Sequence, residues 1–148
     1  MDIGFTGTRQ PSTPESEASF TATIQSLKPT TFRHGACKGW DALAVRIVRK
    51  LFPDCRIIAY PGKSANTVSD ERPDRDEESI ALSDEVRPEA NHFQRNRNIV
   101  NDCEKLIGCP AQSTWQSKGG TWMTLTYAKK NGKFECFIDP QGHCTYEF

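Results

Sequence analysis

The chain has 148 residues, enough for one domain around one core. Its 19 basic residues balance 19 acidic ones, which argues against a general nucleic-acid coat, because that needs a basic surplus. No apolar run is long enough to span a bilayer, and Met1-Asp2-Ile3-Gly4-Phe5 lacks the basic flank and apolar stretch of a signal peptide, so a cytoplasmic protein is expected.

Asp2 to Thr6 reads as a first strand, and Gly7-Thr8-Arg9 follows as a loop. Thr13-Pro14-Glu15 starts a helix, with Thr13 as N-cap and Pro14 at the first helical position. It runs to Leu27 and buries Phe20, Ile24 and Leu27. Thr31 to His34 is a weak second strand. From Trp40 to Leu51, Leu43, Ala44, Ile47, Val48 and Leu51 recur at helical spacing. Cys55 to Tyr60 is a third strand. Lys63 to Asn91 is polar and charge-rich, centred on Asp70 to Glu78; it reads as a solvated loop or as a lid over a pocket. Phe93 to Asp102 suits a helix, Lys105 to Cys109 a fourth strand, and Thr121 to Lys130 a helix closed by Asn131-Gly132. Phe134 to Ile138 is a fifth strand, and the tail turns back to pair antiparallel with it. Such alternation predicts an α/β domain over residues 1–148: a mostly parallel sheet, helices on both faces and an antiparallel C-terminal edge strand.

The six cysteines form no CxxC pair and read as reduced, buried thiols. Cys136, His143 and Cys144 make one short cluster without a second half, so no metal site is expected. No cofactor is implied.

Ligands on parallel sheets bind at the carboxyl ends of the strands, and the notable motifs fall there. Gly7-Thr8-Arg9 fits either an ordinary strand-to-helix turn or a loop where Thr8 and Arg9 meet a ligand. In His34-Gly35-Ala36-Cys37-Lys38-Gly39-Trp40-Asp41, Asp41 either caps the next helix or accepts hydrogen bonds from a ribose or base. His34 is either structural or a group titrating near neutral pH. Trp40 either stacks on a base or closes the core, and the core is expected. Arg95 and Asn98 lie three apart and share a helix face. Gly119-Gly120-Thr121 can offer bare amides and a hydroxyl to an anion at a helix start.

Together these residues resemble the SMF/DprA–Lonely Guy superfamily of Rossmann-like domains, from the Gly7-Thr8-Arg9 loop through Pro140, and are similar to its small single-domain members in bacteria and phages. In the Lonely Guy phosphoribohydrolases an Arg-Lys helix leads into a strand ending in Pro-Gly-Gly, then Gly-Thr-x-x-Glu. Arg95 takes the place of that arginine, Glu104 to Pro110 that of the strand and its proline, and Gly120-Thr121 that of the Gly-Thr. The resemblance implies phosphate held by Arg95, Gly119, Gly120 and Thr121, and a homodimer. The chain departs from the family in three places: Thr124 stands at the catalytic glutamate, Asn96 at the lysine, and Ala111 to Lys118 is inserted. Gly-Thr-x-x-Thr is closer to the DprA side, which binds single-stranded DNA.

Three functions follow as expectations. The first is a binder of a nucleotide or ADP-ribose-like ligand, acting as sensor or sequestering protein, with Gly7, Thr8, Arg9, His34, Gly35, Ala36, Gly39, Asp41, Arg95, Asn98, Gly119, Gly120, Thr121 and Thr124 around it. The second is a nucleoside 5′-monophosphate N-glycosidase, with Asp41 and Arg95 catalytic or with a carboxylate from Glu85 or Glu89. The third and weakest is a single-stranded nucleic-acid binder.

Overall fold

The structure is a computed structural model and describes residues 1–63 and 74–148. Seven strands form one sheet: β1 (Asp2–Gly7), β2 (Thr31–His34), β3 (Arg56–Ala59), β5 (Glu85–Val86), β7 (Lys105–Cys109), β8 (Phe134–Ile138) and β9 (Cys144–Thr145), in the order β5-β3-β2-β1-β7-β8-β9. Every pairing is parallel except β8 with β9, which run antiparallel through Ile138 and Cys144. The chain lays strands to one side of β1 and then, from β7, to the other. The switch point therefore lies between β1 and β7, where the loops after the two strands part and leave a crevice.

Helices α1 (Pro14–Leu27) and α2 (Trp40–Leu51) cover one face; α4 (His92–Asp102) and α5 (Gly120–Lys130) cover the other. Side-chain alternation along β1 divides its residues between them. Ile3 and Phe5 enter the first core with Phe20, Ile24, Trp40 and Val48. Phe20 sits edge-on to both Phe5 and Trp40, with ring centroids 5.4 Å apart in each pair. A fully buried phenylalanine contributes about 1.5–3 kcal/mol. Gly4 faces α4, and a Cβ there would lie 2.9 Å from Cys103 Sγ, so its small size sets how closely that helix approaches. Trp122, Leu125, Ile99 and Leu106 fill the second core.

The helix starts behave as their sequences dictate. Thr13 and Ser16 cap α1 reciprocally, the Thr13 side chain accepting from Ser16 N and the Ser16 side chain from Thr13 N. Gly132, at φ 69°, follows α5 in the left-handed region.

Residues 74–91 depart from the expected long loop. They carry α3 (Glu77–Ala81), edge strand β5, and β6 (Ala90–Asn91), which pairs with β4 (Gly62–Lys63). Asp76 caps α3 at Ser79 N, and Asp84 accepts from Ile57 N and Arg49, fastening the segment to the sheet edge. Asp76 and Asp84, two of the charges in that polar stretch, are thus a cap and an edge anchor. The remainder of that stretch, residues 64–73, lies outside the described residues.

Candidate functional site

A cavity of about 350 Å³ opens at the switch point. It is walled by the loop after β1, the β2–α2 turn, one face of α4, and the loop entering α5. This lies in the size range of small-molecule sites.

The loop after β1 is locked to the β2–α2 turn. Trp40 N donates to Thr8 O at 3.1 Å, a Cβ on Gly7 would fall 2.5 Å from Trp40 Cβ, and one on Gly39 would fall 2.6 Å from Arg9 Cα. Gly39 also needs its φ of 86°. These two glycines serve the approach of one loop to the other; Gly39 lies away from the cavity, and Gly7 lines it. Thr8 and Arg9 line it too, and Arg9 pairs with Asp74 at 3.0 Å at an exposed position.

His34 does not border the cavity. It is completely buried, its Nδ1 accepts from Ala36 N, and its Nε2 meets Ser83 Oγ at 2.8 Å. Ser83 gives its own proton to Ser79 O, so His34 must donate from Nε2 and is the neutral tautomer. Burial, and secondarily the nearby Arg95 charge, push its pKa down to about 3, which corrects the expectation of titration near neutral pH. Ala36, at φ 56°, is buried in the same turn and does not line the cavity.

Asp41 does line it. Its Oδ2 accepts from Cys37 N at 3.2 Å, tying the turn together from the first turn of α2. Burial raises its pKa to about 6; the charge of Arg95 and the backbone amides of Cys37 and Gly35 work against that rise. A Cβ on Gly35 would strike both Arg95 Nη1 and Asp41 Oδ2, so glycine is what allows the two side chains to converge on that backbone.

Arg95 is a buried pillar more than an open phosphate clamp. Nη1 donates to Gly35 O and Tyr60 O, and Nε donates to Asn96 Oδ1 at 2.7 Å. Only its Nη2 edge is loosely held, 3.6 Å from Cys37 Sγ and 3.5 Å from His92 Nδ1. The guanidinium therefore joins α4 to the ends of β2 and β3 and presents one edge to the cavity.

The glycines at α5 behave differently from the others. Nothing lies within 4 Å of where a Cβ on Gly119 would stand, and only Asn96 Nδ2, at 3.8 Å, faces one on Gly120. Gly119, at φ 105°, is the N-cap and offers no side chain. Among the described residues the amides of Gly120, Thr121 and Trp122 and the Thr121 hydroxyl have no hydrogen-bond partner, and these three residues line the cavity. An uncapped helix start with open space in front of it suits an anion. Lys118 adds a positive charge beside it.

Thr124 is turned inward, its hydroxyl donating to Gly120 O, and does not border the cavity. Asn98 lies off it as well, accepting from Gln94. The cavity face of α4 is instead His92, Arg95, Asn96 and Ile99. Their spacing of three and four residues marks one helix stripe, a signal present in the sequence that the pairing of Arg95 with Asn98 missed. Gln112, from the inserted segment, is another unforeseen wall residue, held by Trp122 Nε1 at 2.8 Å. Glu85 pairs with Arg56 and Arg87, and Glu89 with Arg75; neither borders the cavity. Among the described residues no three His, Cys, Asp or Glu side chains are placed to hold a metal ion, and no helix is long and apolar enough to cross a membrane.

No protein-family model and no curated protein matches this chain. Its fold is shared with solved structures. TM1055, a structural-genomics target, superposes with a TM-score of 0.58 and 15% identity over 90% of this chain and 71% of that one. DNA processing protein A (DprA) from Streptococcus pneumoniae superposes with a TM-score of 0.63 and 17% identity over 93% of this chain and 49% of that one, so the chain spans about half of DprA. The domain is thus Rossmann-like. The likeness to these two structures is one of fold.

Proposed function

We propose that the protein binds a nucleotide or ADP-ribose-like phosphorylated ligand at the switch-point cavity, as a sensor or sequestering protein. The observation that carries this reading is the α5 start: among the described residues three amides and a hydroxyl without partners, open space beside Gly119 and Gly120, and Lys118 and Arg9 lining the same cavity. Phosphate answers each of these features, and Asp41 on the opposite wall offers a further acceptor to the ligand.

The test is a Gly120→Asp variant. A Cβ is accommodated there, and a carboxylate in the first turn of a helix is favourable to the helix itself. The variant should fold at least as stably as the parent, yet repel phosphate. Binding of adenosine 5′-monophosphate or ADP-ribose, measured by calorimetry, should weaken at least a hundredfold while the unfolding temperature holds. Undiminished affinity would remove phosphate from this site.

One observation favours a second reading, an N-glycosidase of nucleoside 5′-monophosphates. A buried carboxylate with a pKa near 6 at a cavity wall is suited to proton transfer or to facing a developing positive charge. In that case free base accumulates with turnover, and Asp41→Asn stops it while binding persists. A ligand recovered chemically unchanged after heat release supports the sensor instead.

A further inference from the structure

A second cavity of about 450 Å³ lies against the first on the far side of the α5 start. His92, Asn96, Gly120 and Trp122 border both. The first is a mixed polar site, whereas the walls of the second are dominated by exposed apolar groups: Phe93 is 49% exposed, Trp115 54% and Met123 47%. Trp115 belongs to the inserted segment, and its ring is fixed by an Nε1 hydrogen bond to Thr126 Oγ1 at 3.2 Å. The Arg97 guanidinium lies 4.3 Å from the Phe93 ring centre and 5.1 Å from that of Tyr127. Isolated apolar side chains at a surface are ordinary; three of them lining a concavity that continues a polar one point to an occupant.

We infer that the second cavity receives the aromatic base of the same molecule whose phosphate rests on the α5 amides, so that one nucleotide spans both cavities across Asn96 and Gly120. This rests on the nucleotide reading above. Continuity is the argument for a small molecule. A phosphate at the Gly120 amide stands at the shared wall, and a base tethered to it through a ribose has an aromatic-walled space within reach. The seam is polar in the way a ribose needs. Asn96 Oδ1 is taken by Arg95 Nε, which leaves the Nδ2 donor directed at the α5 start. Indole and phenyl faces then meet the π-face of the base, and stacking of this kind tolerates different bases. The inserted segment that sets this chain apart from the Lonely Guy pattern would thus supply the base contact.

Trp115 is the exposed tryptophan, at 54% against 3% for Trp40 and Trp122, and because Trp122 borders both cavities the Trp115→Ala variant isolates the Trp115 share of the signal. Wild type, Trp115→Ala and Met123→Ala are titrated with adenosine 5′-monophosphate, ADP-ribose and ribose 5-phosphate, and the mass of each protein is followed by light scattering. Both substituted side chains are about half exposed, so the fold should be retained. Expected are tryptophan quenching by the two adenine compounds but not by ribose 5-phosphate, and adenine affinity at least tenfold above that of ribose 5-phosphate. Each variant should abolish that advantage while leaving ribose 5-phosphate binding unchanged. Equal affinities in the wild type, or variants that weaken all three compounds alike, would overturn the base assignment and leave phosphate binding standing. A change in mass with no change in adenine selectivity would overturn it in favour of a second protein copy over the groove. If none of the three binds, the nucleotide reading fails as well.

Discussion

Asp41 and His34 occupy the same turn and respond oppositely to pH. Burial lowers the His34 pKa to about 3, so folding forces this histidine to stay neutral. Its unfolded form takes a proton below about 6.5, and the associated stability, present above that pH, is lost as pH falls toward 3. Burial raises the Asp41 pKa to about 6, so the folded state takes up a proton between there and 3.8, and the associated stability is lost as pH rises through that window. Between pH 6 and 4 the two slopes nearly cancel. An Asp41→Asn variant removes one of them. Relative to wild type it should therefore lose stability on acidification across this range, at up to about 1.4 kcal/mol per pH unit, and be the relatively more stable protein above pH 7. Urea unfolding at pH 4.5 and 7.5 checks this. A difference between the two proteins that does not change with pH would mean that Asp41 titrates normally.

Among the elements, the two loops after β1 and β2 act as one unit because glycines let their backbones touch. Gly7→Ala puts a methyl group 2.5 Å from Trp40 Cβ, against a tryptophan wedged between Phe5 and Phe20. The expected cost is about 1–3 kcal/mol, read as a lower unfolding midpoint; a midpoint within error of wild type would mean the loops part easily. The sequence announced most of these elements. α1 carried Thr13 and Pro14 at its start, α2 an apolar stripe, and α5 its glycines, and all three begin within a residue of where those signals stand. What it did not announce were the two-residue strands β4, β5 and β6 and the five-residue α3. Elements that short hold no full period of any pattern, and their positions are set by partners such as Ala59 and Ile57, distant in sequence.

At the scale of the whole molecule, the site was legible as a place and less so as a set of contacts. Strand ends followed by glycine loops located it, because parallel sheets open only at that edge. Glycine itself is ambiguous in sequence. Gly7 and Gly39 serve loop packing while Gly119 and Gly120 face open space, and only the neighbouring atoms separate the two cases. Arg95 was legible as important but not as mostly spent on Gly35, Tyr60 and Asn96, since those partners meet only in the folded chain. The strand order has a further consequence, for how the protein is made. β1 lies at the centre of the sheet, yet one of its two neighbours, β7, pairs Ile3 with Lys105 and Gly7 with Cys109. During synthesis, until the ribosome has released the chain beyond Cys109, the central strand keeps a bare backbone edge beside Phe5 and Ile3. Such an edge invites pairing with other nascent chains. Completion of the sheet, and of the crevice between β1 and β7, therefore waits until Cys109 is available to pair with Gly7.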